Sequence, residues 1–134
     1  MNIQLIPFLL PIMTFCHVIA DYNLQGVLAN FKQVNWWRKN YHTDKDEKNA
    51  EIALRIHSGS WSFMIMLPIM IHMFITKQYN FNFYIIALGA NSVLHSCIDY
   101  MKCNEGMINY YIDQYCHMGQ IAITWLVYYL IIVF

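Results

Sequence analysis

The sequence predicts an all-α fold, an integral membrane bundle of four transmembrane helices with a short interfacial helix after the first. Three observations predict it. The chain of 134 residues is 58% hydrophobic and only 12% charged, whereas about a quarter of the residues of a soluble domain carry charge. Four stretches reach the roughly 20 apolar residues needed to cross a hydrocarbon core of about 30 Å. Seven of the eight basic side chains lie on one side of those stretches, the asymmetry of a multi-pass protein. At this length residues 1–134 make a single membrane domain. The formal net charge is zero and no basic patch is interleaved with aromatics, so no nucleic-acid partner is expected.

The first span covers about residues 3–24. It lacks a basic leader, Thr14, Cys16 and His17 interrupt its apolar run, and no small-x-small site precedes Asp21. It is therefore read as a retained helix and not as a cleaved signal peptide. Residues 25–50 follow as an interfacial and cytoplasmic loop. Leu24, Val27, Leu28, Phe31 and Val34 recur at helical spacing ahead of Trp36, Trp37, Arg38 and Lys39. That pattern predicts a short amphipathic helix anchored in the interface by its indoles. The stretch 40–48, which includes His42, is polar, alternates in charge and reads as a solvated loop.

The second, third and fourth spans cover about 52–75, 81–101 and 108–134. Pro7 and Pro11 in the first span and Pro68 in the second mark kinks, because membrane helices tolerate proline. Cys16, Cys97, Cys103 and Cys116 form no C-x-x-C pair and read as small buried residues. Lys32, Arg38, Lys39, Lys45 and Lys48 lie in the first connection, Arg55 at the mouth of the second span and Lys102 at the end of the third. Only Lys77 lies opposite. The bias predicts a cell (inner or plasma) membrane protein with the first and third connections in the cytoplasm and both termini outside.

The polar residues inside the spans need an explanation, since each ionisable side chain costs about 2.5–3.5 kcal/mol at mid-bilayer on insertion scales. Span one holds His17 and Asp21, spaced i, i+4, with Gln25 a turn later. Span three repeats the clip as His95 and Asp99, with Asn91 before it and Lys102 after. Span four reverses it as Asp113 and His117, with Gln120 on the same face, and span two adds His57 with Ser60 a turn on. Residues four apart share a helix face. Because successive helices alternate direction, His57, His95, Asp99, Asp113 and His117 fall near the predicted cytoplasmic boundary, with Asp21 in that layer and His17 somewhat deeper, while His72 lies near the other end of span two. Packing glue alone is one account, since membrane helices use buried polar side chains that way. Four His and three Asp also make a ligand set suited to Zn²⁺, Mn²⁺ or Fe²⁺. With Lys102 counted, one ion would neutralise the site and two would make it attract an anion.

The run His17-x-x-x-Asp21-Tyr22-x-Leu24-Gln25, then Lys32, His57, His95-x-x-x-Asp99-Tyr100-x-Lys102 and Asp113-Gln114-x-x-His117 resembles one family over nearly the whole chain. It is a family of small polytopic membrane proteins of bacteria and their phages, catalogued as a domain of unknown function. The resemblance implies a helical membrane fold with a shared polar site at these positions, and no settled activity. A looser likeness to intramembrane metal-dependent hydrolases is one of analogy.

Three function classes follow. The first is a metal-dependent hydrolase of a lipid or phosphate-containing substrate at the cytoplasmic leaflet. His17, Asp21, His57, His95, Asp99, Asp113 and His117 would hold one or two divalent ions, with His57 as ligand or base. Lys102 would hold a phosphate oxygen, and Gln25 and Gln114 would orient ligands. The second is a metal or proton transporter, which the nearly apolar outer halves of the spans oppose. The third is a non-catalytic phage or bacterial accessory module that docks a partner through its aromatic, basic first loop. Membrane lipid surrounds the chain in every case, and self-association is compatible with all three.

Overall fold

The computed structural model describes residues 5–133. The ends of the first and fourth predicted spans, residues 3–4 and 134, lie outside the described residues. The described chain is helical throughout and contains four helices long and apolar enough to cross a membrane, spanning Ile6–Asn23, Asp46–Thr76, Phe81–Cys103 and Tyr110–Val133. The first is an α-helix, α1 (Ile6–Val18), that widens into one π turn at Ile19–Asn23. The Leu24 amide there bonds the carbonyl of Ile19, five residues back. Such π turns place functional side chains, and this one carries Asp21. Gly26, at φ +48°, then turns the chain out of the span.

The interfacial segment differs from expectation. Instead of one amphipathic helix it forms two, α2 (Leu28–Phe31) and α3 (Val34–Asn40), broken where Gln33 is extended. The break is clamped by Asn104, which donates to the carbonyl of Lys32 at 3.0 Å and accepts from the amide of Val34 at 2.8 Å. Phe31, Trp36, Trp37 and Tyr41 pack ring against ring beside it. Asn104→Leu removes both clamping bonds, which net about 0.5–1.5 kcal/mol each. The expected result is faster amide exchange at Lys32–Trp36 with no change in the spanning helices, read by hydrogen-exchange mass spectrometry in detergent.

The next helix, α4 (Asp46–Thr76), begins six residues before the predicted span. Its polar first turns were expected to be loop. The buried Asp46 carboxylate accepts from the amide and hydroxyl of Thr43, the hydroxyl at 2.8 Å, and so ties the preceding turn to the first residue of the helix. Helix α5 (Phe81–Cys103) is capped by Asn80, whose side chain accepts from the Phe83 amide at 3.0 Å. Helix α6 (Tyr110–Val133) starts at Asn109, which accepts from Ile112. The helices α1 and α4 run on through Pro11 and Pro68.

The four long helices form a ring: α4 packs on α1 and α5, and α6 closes it against α5 and α1. Ile6, Leu9, Met13, Trp61, Ile65, Met66, Ile69, Met73 and Ile121 build the buried core. Outside it Phe8, Ile12, Phe15, Ile85, Ile86, Ile123 and Leu126 are exposed, which is how a bundle immersed in lipid distributes apolar surface. The first and third connections meet at one end, where Tyr22 bonds Tyr110 and Lys102 bonds Asp113.

Three expectations are corrected here. Cys97 and Cys116 are exposed and Cys103 is half-buried, leaving Cys16 as the buried cysteine. They sit on outward faces of α5 and α6, where lipid takes the place of a packed neighbour. Ser60 is also exposed and bonds back to the carbonyl of Ile56. The residue that follows His57 inward is Trp61, at i+4. Finally, the far half of the bundle is not closed by apolar side chains alone, because His72 and Tyr128 are buried there and bonded to each other at 2.8 Å.

Candidate metal centre

The π turn of α1, the middle of α4, the end of α5 and the start of α6 converge at one end of the ring. They bring together all seven His and Asp residues expected there. His17, Asp21, His57, His95, Asp99, Asp113 and His117 are each no more than 4% exposed. Among the described residues, two three-residue groups can hold a metal ion: Asp21, His57 and His95, and His95, Asp99 and His117. Within each, the ligand atoms lie within 4.8 Å of one another.

The tightest triangle crosses the two groups. His57 Nε2 stands 3.1 Å from His95 Nε2 and 3.3 Å from Asp99 Oδ2, and His95 Nε2 is 3.6 Å from that same oxygen. Asp21 Oδ1 lies 3.3 Å from His57 Nε2 on the other side. Ligand atoms around a tetrahedral zinc, with bonds of about 2.0–2.2 Å, stand about 3.3–3.6 Å apart. These separations match that edge length.

His95 is the pivot. Its ring packs against Trp61, with centroids 4.1 Å apart and planes at 20°, and against His117, at 4.2 Å and 29°. Those two rings also touch each other, at 5.4 Å, and the three-ring cluster fixes the orientation of His95, which is what a ligating imidazole needs from its surroundings. Trp61 acts a second time, donating from Nε1 to His17 Nδ1 at 2.7 Å. With Nδ1 accepting, the proton of a neutral His17 sits on Nε2, which faces Gln114 Oε1 at 3.1 Å. Both nitrogens of His17 are thus engaged, and it stands outside both three-residue groups, one layer from their ligand atoms. Asp113 also stands outside them. It is held by Lys102 at 2.6 Å and Gln114 at 2.9 Å, with His117 Nε2 3.2 Å away.

Gln114 links the outer layer, donating to Asp21 Oδ2 at 3.3 Å as well as to Asp113. Gln25 does something more local. Its amide bonds the backbone carbonyl of Asp21 and so ties down the end of the π turn. Lys102, 21% exposed, bridges Asp99 at 3.1 Å and Asp113 at 2.6 Å.

The clip spacing left Lys32 out of the ligand set, and only the family resemblance put it among the positions of the polar site. Its Nζ lies 2.6 Å from Asp99 Oδ2, with both side chains buried. The signal was present, because Leu28 and Lys32 share a face of the amphipathic segment and a lysine there points where the apolar residues point. Trp61 likewise follows His57 at i+4. With Lys32 included, three carboxylates face two ammoniums, and the centre carries one net negative charge with its imidazoles neutral. Even so, several buried atoms have no hydrogen-bond partner: Asp21 Oδ1, Asp99 Oδ1, Asp113 Oδ1, His95 Nδ1 and both nitrogens of His117. The cations and rings that approach the carboxylate oxygens do so off the angles a hydrogen bond requires. Buried lone pairs left this way are costly, and a divalent cation is the species that would satisfy several at once. Comparison with protein-family models, with curated proteins and with solved structures finds no match to this chain.

Proposed function

We propose that the chain binds one divalent transition-metal ion in the His/Asp centre and uses it for hydrolysis of a lipid or lipid-linked phosphate. The observation that carries this reading is the pair of buried His/Asp groups whose ligand atoms lie within 4.8 Å of one another, beside carboxylate oxygens and imidazole nitrogens of the same residues that have no hydrogen-bond partner. His57, His95, Asp99 and Asp21 would hold the ion, with His117 adjacent. One ion is favoured over two for two reasons. Both groups use His95, and each imidazole nitrogen has a single lone pair to give. One divalent ion also takes the centre from −1 to +1, whereas a second would leave +3 in a low-dielectric interior.

A bound ion supplies Lewis acidity and lowers the pKa of its water toward 7. The chain's own part is to orient and to bind. Trp61 and Gln114 hold His17 in one tautomer, and Lys102, 21% exposed where the His and Asp residues are buried, is placed to meet a phosphate oxygen. His57, surrounded by Asp21, Asp99 and His95, is better placed as a ligand than as a free base. The basic bias assigns this end of the bundle to the cytoplasmic leaflet. The chain is then a member of the bacterial and phage membrane family that its motifs resemble.

The test is elemental analysis of detergent-purified protein. About one ion per chain is expected in the wild type and less than a tenth of that in Asp99→Ala/His117→Ala, with circular dichroism confirming that the variant stays helical. Equal, substoichiometric metal in both would sink the metal centre and leave an ion-pair network. That second reading rests on a specific observation, since Lys32 and Lys102 already neutralise two of the three carboxylates. It would make the chain a non-catalytic accessory module. If metal is present, lipid analysis of expressing cells separates an enzyme from a metal-stabilised module.

A further inference from the structure

Helix α6 is built inside out. Six of its residues are buried: Asp113, His117, Gln120, Ile121, Thr124 and Tyr128. All but Ile121 carry a hydrogen-bonding side chain. Its exposed face is apolar, with Ile112, Ile123, Leu126, Val127, Leu130 and Ile131 turned outward. The spacing of the polar residues is three or four, so they form one stripe. Over the fifteen steps from Asp113 to Tyr128 the stripe extends about 22 Å, most of a hydrocarbon core of about 30 Å. Packing alone does not require this. A helix that only holds a bundle together buries small or apolar side chains with an occasional polar one.

The stripe is continued by partners on the facing helices. Gln120 donates to the carbonyl of Asn91 at 2.7 Å, and the Asn91 side chain and the Thr124 hydroxyl bond each other at 2.9 Å. One turn further, Tyr128 Oη meets His72 Nδ1 at 2.8 Å. Both are buried in the far half of the bundle, and His72 is one turn from the end of α4. On the near side Gln120 Oε1 and His117 Nδ1 are buried without a hydrogen-bond partner, at adjacent levels of one face. Buried groups in that state are the ones that internal water joins.

We infer that this stripe is a proton path, running from the level of His117 to the opposite face of the membrane through Gln120, Asn91, Thr124, Tyr128 and His72. The amides and the Thr124 hydroxyl orient water, and Tyr128 and His72 carry the proton past the apolar core. Each relay group releases one proton as it accepts another. Only O–H and N–H bonds break and re-form, no electron moves, and the electrochemical gradient of the proton drives the flux. Chains of ionisable and hydroxyl groups through a bundle interior are how membrane proteins build proton relays. The path needs no metal at the centre, so it stands or falls separately from the hydrolase reading.

The test is proton flux into vesicles of phosphatidylethanolamine and phosphatidylglycerol that contain the full chain and a trapped pH dye, driven by a potassium diffusion potential. The wild type is expected to acidify the lumen at least tenfold faster than protein-free vesicles. Tyr128→Phe, which deletes one hydroxyl and keeps the ring stacked on Phe83, and His72→Phe are expected to fall within twofold of background. The lipid-facing Val127→Ala should conduct like the wild type. Helical circular dichroism and monodisperse elution confirm that each variant is folded. Wild-type flux at background, or flux untouched by both inner substitutions, overturns the path and returns the stripe to hydrogen-bonded packing. Metal content measured on the same samples reports on the hydrolase reading independently.

Discussion

Asp99→Asn is expected to be the most damaging single substitution in the chain, lowering the stability of the detergent-solubilised bundle by about 3–5 kcal/mol. Asp99 is the hub of the centre. Lys32 lies 2.6 Å from it, Lys102 3.1 Å, His57 3.3 Å, His95 3.6 Å and His117 3.8 Å. The change is nearly isosteric, so no cavity contributes. What it removes is the one carboxylate both lysines share. Lys102 keeps Asp113 as a partner, but Lys32 is left as a buried ammonium facing an amide. Breaking a buried pair costs more than the pair itself contributed, because the surviving charge remains desolvated. Denaturant titration followed by circular dichroism measures the loss, and a change below about 1 kcal/mol would mean that Lys32 reaches water when Asp99 is gone. The double variant Asp99→Asn/Lys32→Met separates these cases. It should recover most of the lost stability if the orphaned ammonium is the cause.

Lys32→Met is expected to give two effects of opposite sign. Without metal the variant should be less stable by about 3–5 kcal/mol, since the carboxylate loses its closest counter-charge in a buried site. With metal, affinity should rise at least tenfold, about 1.4 kcal/mol. The ammonium occupies Asp99 Oδ2, the same oxygen that completes the triangle with His57 and His95. Ion and lysine therefore compete for one lone-pair direction. Methionine fills the lysine's volume without competing. Competition against a chromophoric chelator measures the affinity. A weaker or unchanged affinity would mean that Lys32 and the ion bind together, and the placement of the ion in the His57–His95–Asp99 triangle would then be wrong.

The segment that carries Lys32 shows how far local pattern reaches. Its apolar spacing reads correctly as helical. The break at Gln33 does not show in that spacing, because it is set by Asn104, more than seventy residues later. The start of α4 shows the reverse. Thr43 and Asp46 form a bonded pair three residues apart that was legible, but charge alternation in the same stretch pointed to a loop. The i, i+4 clips were legible because helix geometry alone puts such residues on one face. Their sorting into ligands and supports was not. His17 and His95 have the same sequence context, a His four before an Asp. One is engaged at both nitrogens by Trp61 and Gln114, the other packs in a three-ring cluster with Trp61 and His117, its Nδ1 unpartnered.

By itself the sequence determined the number of membrane-length helices, their approximate limits, the helical segment after the first and the end of the bundle where the His and Asp residues gather. Hydropathy over twenty residues and a 3.6-residue repeat are local quantities, and a bilayer leaves little choice but helices. Only the tertiary structure decided which groups fill the space between the helices. Rotation of each helix within the ring brought Lys32 onto Asp99, stacked Trp61 on His95 and turned the polar stripe of α6 inward to meet Asn91 and His72. Those contacts join residues far apart in the chain, and interhelical packing sets them.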